Sequence, residues 1–131
     1  MEGLVVRNPR GVTFIELLTV VVIIGLLSIF AIPRLTRNKE KAILASMQSD
    51  LRNLATAEEG YYYRLSTYTN DQVALGITLS SGNVLIINEA TAAGWSATIS
   101  HAPLVPQSCY LFHGNATPVG SATIEGLADC S

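Results

Sequence analysis

The sequence predicts an α+β protein: one long N-terminal α-helix, apolar in its first half and amphipathic in its second, packed on a small antiparallel β-sheet head. Three observations carry this. From Leu17 to Ile32 the chain is apolar apart from Thr19, Gly25 and Ser28. From Pro33 to Gly60 helix breakers are scarce and apolar residues recur at helical spacing. Beyond residue 82, three short segments rich in β-branched and aromatic residues alternate with connectors punctuated by Gly or Pro.

The apolar run comes first. Val12 to Ile32 is 21 residues, about 31 Å as a helix, which matches a bilayer core of ~30 Å. A secretory signal ends in small residues of the A-x-A kind. The only such place here is Ile29-Phe30-Ala31, where a bulky residue stands in the way. An uncleaved anchor accounts for the length but not for Glu16, a carboxylate flanked by Ile15 and Leu17. Carrying an ionised carboxylate into lipid costs at least ~2.5–3.5 kcal/mol on insertion scales, so Glu16 calls for a partner.

The helix is expected to continue past the membrane. Leu44, Met47, Leu51 and Leu54 form an apolar stripe that Ala42, Ile43 and Ala55 widen. Lys39, Glu40, Lys41, Asp50, Arg52 and Glu58 fall mostly elsewhere around the axis. One helix from Val12 to about Tyr62 would be ~76 Å long. Pro33 is expected to kink it, since proline removes an amide donor and crowds the preceding turn; Gly25 and Ser28 are further weak points.

The head follows. Strands are expected at Asn83–Asn88, Trp95–Ser100 and Ser108–His113. Trp95, Ala97 and Ile99 alternate with Ser96, Thr98 and Ser100, the pattern of a half-buried strand. Residues 64–82 link helix to sheet through a turn or short helix. All eight cations (Arg7, Arg10, Arg34, Arg37, Lys39, Lys41, Arg52 and Arg64) precede Leu65, after which the charges are Asp71, Glu89, Glu125 and Asp129. A head with four carboxylates and no Lys or Arg is a poor grip for phosphate backbones, so no nucleic-acid binding by the head alone is expected.

Cys109 and Cys130 have two readings: a disulfide closing the last segment onto the third strand, or two free buried thiols. The disulfide would contribute roughly 3 kcal/mol and implies an oxidising compartment. Zinc lacks ligands, because there is no C-x-x-C and His101 and His113 complete no cluster. No nucleophile elbow, H-E-x-x-H, P-loop or dinucleotide fingerprint is present, so neither catalysis nor a cofactor is expected. His101 and His113 read as packing or surface histidines. Tyr61, Tyr62, Tyr63 and Tyr68 read as packing between helix and sheet, with an aromatic binding patch as the alternative. Glu125 and Asp129 are a weaker calcium option.

The stretch GVTFIEL, Gly11–Leu17, resembles the cleavage and methylation motif of type IV prepilins and pseudopilins, commonly G followed by F-T-L-I-E-L. Val12 stands for the usual Phe and Phe14 for the usual Leu. The resemblance extends to the apolar run, the glycine at Gly25, the proline at Pro33 and the helix-then-sheet plan, and the terminal cysteine pair resembles the disulfide-bounded region of many pilins. It implies a pilin-like α+β fold divided into a cleaved leader (1–11), a transmembrane and filament-core helix half (12–33), an amphipathic half (34–63) and a linker plus sheet head (64–131). A prepilin peptidase would cut between Gly11 and Val12, and Val12 would be N-methylated. Glu16 would then guide docking through the Val12 amine of the same or a neighbouring subunit, with Phe14, Gly25 and Pro33 in the assembly surface.

The function so implied is a structural pilin subunit. It sits in the bacterial inner membrane as a precursor, then joins a helical homo-oligomer at the cell surface used for adhesion, motility or DNA uptake, with pilus assembly machinery as partner. The alternatives are a pseudopilin or minor pilin of a type II secretion or competence system, and a single-pass anchored binding module. Charge counting runs the other way on orientation, since Arg34, Arg37, Lys39 and Lys41 outnumber Arg7 and Arg10; the motif and the cysteine pair both place the head outside.

Overall fold

The computed structural model describes residues 11–102 and 105–131. The expected leader, apart from Gly11, and the cations Arg7 and Arg10 lie outside these residues. The chain forms two compact units, one ending at Arg37 and one spanning Asn38–Ser131.

The first helix, α1, is Phe14–Leu65, 52 residues. It starts two residues later than the sequence pattern placed it, because Thr13 caps it, and it runs through residue 33. A four-residue helix, α2 (Gln72–Leu75), interrupts the linker. Its start is set by Asp71, whose side chain accepts from the amides of Val73 and Ala74, and its end by Gly76 at φ +63°.

The sheet has four antiparallel strands in the order β1 (Val84–Ala90), β2 (Gly94–His101), β3 (Val105–Gly114) and β4 (Asp129–Cys130). The first three overlap the expected segments. The fourth was not expected, because a two-residue strand has no period to read. Register sets the core face: Leu85 pairs with Ile99 and Ile99 with Cys109, while Ile87 pairs with Ala97 and Ala97 with Leu111. Cys109 faces Cys130 across β3 and β4, and the two form a disulfide. The ladder continues one step as Ser108 and Ser131 exchange both backbone hydrogen bonds at 3.0 Å.

Met47, Leu51 and Leu54 of α1 pack on this face with Tyr68 and Trp95, so the helical stripe is the core stripe. Ala42, expected within it, is exposed. Asp50 and Glu58, expected toward solvent, are buried; hydrogen bonds from the linker offset the desolvation of both. Among the tyrosines Tyr68 is in the core and Tyr62 stacks on it with ring centroids 4.7 Å apart, whereas Tyr63 is 91% exposed, so part of that cluster serves helix–sheet packing and Tyr63 does not. Ser96, expected on the wet face of β2, is buried beside its β3 neighbour Phe112. The segment after β3 covers this outer face, for Ala116 and Ala122 are buried and the Gly126 amide donates to the Phe112 carbonyl.

Leu51→Ala is expected to lower head stability by about 2–5 kcal/mol, the range for truncating a buried leucine. Leu17→Ala, at a residue 60% exposed, is expected to leave it unchanged. Urea titration of the detergent-extracted chain, followed by Trp95 fluorescence, measures both.

Candidate functional site

The N-terminal unit is organised around residues 13–16. The Thr13 carbonyl accepts the first helical bond, from the Leu17 amide at 3.2 Å, which makes Thr13 the N-cap. Its hydroxyl accepts from the Glu16 amide at 3.3 Å. The Glu16 carboxylate returns the contact through Oε2, accepting from the Thr13 amide and hydroxyl, both at 2.8 Å. This is the reciprocal T-x-x-E capping box, and it fixes where the Glu16 side chain lies. Glu16 Oε1 makes no hydrogen bond among the described residues. The box is legible in the sequence as Thr13-x-x-Glu16, at positions that also fall within the processing motif.

The flanks of this box are open. Val12 is exposed and Phe14 is 81% exposed, and a Cβ at Gly11 or Gly25 would meet nothing within 4 Å. Along the apolar run the hydroxyls turn back onto their own helix: Thr19 donates to the Ile15 carbonyl at 2.8 Å and Ser28 to the Ile24 carbonyl at 2.7 Å. Their polarity is consumed internally. Proline carries no amide hydrogen, so residue 33 leaves the Ile29 carbonyl without its helical donor. The outcome is a helix long and apolar enough to cross a membrane, with every side chain from Val12 to Ile32 exposed and Glu16 as its one ionisable group.

The head unit holds two polar networks. In the first, Asp50 accepts from the Ser80 amide (2.9 Å), the Ser80 hydroxyl (3.0 Å) and the Asn83 side-chain amide (2.7 Å). Because that amide group donates to Asp50, Asn83 Oδ1 accepts, and His101 Nδ1 donates to it at 2.7 Å. His101 is thus a satisfied packing histidine. It also explains Gly82, at φ +85°, where a Cβ would collide with the imidazole.

In the second network Glu58, fully buried, accepts from the Thr69 amide at 3.1 Å while its Oε1 has no partner among the described residues. Burial pushes its carboxyl above the ordinary range, opposed by the Thr69 amide and reinforced by Glu59. Next to it, Glu59 accepts from the Tyr68 hydroxyl at 3.1 Å and faces His113 Nε2 at 3.3 Å. Burial and this hydrogen bond push the Tyr68 phenol up to about 12. His113 Nδ1 meets Glu125 at 3.0 Å, and Glu125 also takes the Gly114 amide at 2.7 Å. Glu125 is therefore engaged with β3, and Asp129 accepts from the Cys130 amide. No group of three or more His, Cys, Asp or Glu able to hold a metal ion occurs among the described residues. Helical and strand periodicity does not show these head groups as a bonded set, since apart from the Asp129–Cys130 contact their bonds join positions 9 or more residues apart.

Residues 6–32 match the family described as the prokaryotic N-terminal methylation motif. The chain is 31% identical over 99 residues to the type IV wide pilus major component PilA4 of Thermus thermophilus, covering 72% of this chain and 76% of that protein. The chain belongs to the type IV pilin and pseudopilin family. It is also 32% identical over 89 residues to the type IV major pilin protein PilA of Myxococcus xanthus, covering 66% of this chain and 40% of that one. Against the type II secretion system core protein G of Vibrio cholerae it is 40% identical over 67 residues, 50% of this chain and 46% of the relative. The chain thus spans less than half the length of these last two proteins. A match covering 72% of the chain must extend past Leu65 into the head, whereas one covering half need not.

Glu58 gives this pilin-family head a pH dependence. A carboxyl whose folded pKa is raised holds its proton more tightly when folded, so stability is greatest below the unfolded value of 4.5 and falls as pH rises through the folded one. Glu58→Gln keeps an acceptor for the Thr69 amide and removes the charge. Its melting temperature is expected to equal or exceed the parent's at about pH 7, with a flatter slope toward acid, as read by near-UV circular dichroism melts across that interval.

Proposed function

We propose that the chain is a structural subunit, made as a membrane-anchored precursor and assembled through α1 into a helical surface homopolymer, with the head on the outer side. The observation that carries this is the uncovered apolar surface from Val12 to Ile32 with Glu16 at its start. An exposed apolar surface of this extent belongs against lipid or against other chains. In this reading a prepilin peptidase cuts between Gly11 and Val12 and the new amine is N-methylated. The cleavage creates a cation four residues before Glu16. The capping box holds the carboxylate in place through Oε2, and Oε1, without a hydrogen bond among the described residues, is ready for the Val12 amine of a neighbour. A buried carboxylate becomes tolerable once paired, and removing either partner strands the other.

The remaining residues of the surface take supporting roles. Phe14 is an apolar knob, Gly25 permits close approach of an adjacent helix, and Pro33 marks the turn where α1 loosens most readily. The polymer serves adhesion, motility or DNA uptake at the cell surface. A second reading, a pseudopilin of a secretion system, is favoured by the likeness to the type II secretion system core proteins. Both readings are of a structural subunit without catalysis.

Intact-mass spectrometry of the native protein is expected to give a chain beginning at Val12 and one methyl group heavier; a chain beginning at Met1 would leave a simple anchored module. Glu16→Ala is expected to be cleaved normally while the yield of sheared fibres falls more than about tenfold, since a stranded buried charge costs several kcal/mol. Electron microscopy of the same sheared fraction separates the two readings: abundant surface fibres mark the pilin, their absence alongside a secretion defect the pseudopilin.

A further inference from the structure

The head carries a groove of about 410 Å³, with Ala55, Thr56 and Glu59 of α1 on one side and Trp95, Leu111 and His113 of the sheet on the other. Its walls are largely apolar and its rim is acidic. Glu59 and Glu125 share one imidazole, His113, and both carboxylates are more than half exposed. No Lys or Arg forms an ion pair with either among the described residues, where their close side-chain contact is with the His113 imidazole. The head has no cation to offer, because every Lys and Arg of the chain precedes Leu65.

The cations of the head unit all stand on α1: Lys39, Lys41, Arg52 and Arg64. Arg64 is already placed over the Tyr61 ring, 5.9 Å from its centroid, and donates to the Gly60 carbonyl. The others differ by helical phase. Lys41 precedes Glu59 by 18 residues, five full turns, and so lies on the groove's own side of α1. Arg52 follows the same stripe. Lys39 precedes Glu59 by 20 residues, a rotation of about 200° and a rise of about 30 Å, which puts it on the opposite side of the helix.

We infer that the groove receives Lys39 of a second copy of this chain, displaced by about 30 Å along α1. The inference rests on the assembly reading above and names a contact within it. The lysine stem enters the groove beside Ala55 and Thr56 while its ammonium reaches Glu59 and Glu125. Groove and lysine face opposite ways and sit at different heights. The contact is therefore heterologous: each copy offers its Lys39 to one neighbour and its groove to another, the arrangement that propagates an open filament rather than a closed dimer. Because the paired charges are at the rim, the contact weakens with salt.

The test uses the full chain in its native host. Lys39→Cys combined with Thr56→Cys, oxidised in intact fibres, is expected to yield a ladder of covalent multimers. The native cysteines are both in the disulfide and give no background. Lys41→Cys with Thr56→Cys is expected to yield none. Lys39→Glu and Glu59→Lys are each expected to cut fibre yield roughly tenfold, since like charges are then juxtaposed at the contact, and the double variant to restore it; resistance of the extracted chain to protease confirms that each variant folds. Fibres without the Lys39–Thr56 ladder, or a ladder equally strong from Lys41, overturn the contact while leaving the assembly reading intact. Loss of the precursor's binding to anionic vesicles in Lys39→Glu, with fibres unaffected, would assign the lysine to lipid headgroups and overturn it too. Absence of fibres from the parent chain would instead strike the assembly reading.

Discussion

A helix surface that the chain cannot cover by itself governs this protein. The α-helix satisfies its own backbone except at the Ile29 carbonyl, and the hydroxyls of Thr19 and Ser28 bond to carbonyls of the same helix, so little that is polar is left to hold water along the sides. Such a surface is stable in hydrocarbon or against another copy and nowhere else. The rest of the molecule is built to keep the second half of α1 from sharing this fate. Met47, Leu51 and Leu54 are completely buried under the sheet, and the helix there is as well covered as it is bare before Arg37.

Two devices hold that cover in place, and both join segments distant in sequence. Asp50 binds the 80–83 loop through three hydrogen bonds, the Ser80 partner lying 30 residues away, and thereby ties the linker to α1. The Cys109–Cys130 disulfide ties the chain end to β3; without it β4, two residues long, would depend on a few backbone hydrogen bonds. Each device offsets a different cost: Asp50 satisfies backbone and side-chain donors that the linker would otherwise bury unpaired, and the disulfide restricts the unfolded chain. Between them runs the chain of Glu59, His113 and Glu125, which links α1, β3 and the segment after it.

What the sequence made legible was whatever has a period or a fixed local spacing. The 3.6-residue recurrence of Leu44, Met47, Leu51 and Leu54 marked the buried stripe, and the alternation in Trp95–Ser100 marked β2. Periodicity also misled, in a physically instructive way. It consigned Asp50 and Glu58 to solvent because charge is usually there, yet both lie among the apolar residues of the stripe, and their partners Ser80, Asn83 and Thr69 cannot be read from helical spacing. Ser96 failed for a related reason: the segment that covers it follows β3, and no rule of strand alternation refers to it. The Thr13–Glu16 box was legible as a local pattern, but the same carboxylate also fits a processing motif, and one residue serves both roles.

That double use bears on what drives assembly. Lipid tails are as apolar as the leucines of a neighbouring helix, so moving α1 from bilayer to filament gains little from hydrophobicity. Apolarity therefore decides where the helix can live, not which way it moves. In the proposed assembly the difference between the two environments must come from groups that lipid cannot satisfy. Glu16 is the one ionisable group in the apolar run, and its capping box leaves one oxygen without a partner among the described residues. In hydrocarbon that oxygen is an uncompensated cost; beside a neighbour's terminal amine it becomes half of an ion pair. The amine exists only after the bond between Gly11 and Val12 is cut, so on this reading processing supplies the energetic difference that makes the filament preferable to the membrane, and an uncut chain stays where its apolar surface first placed it.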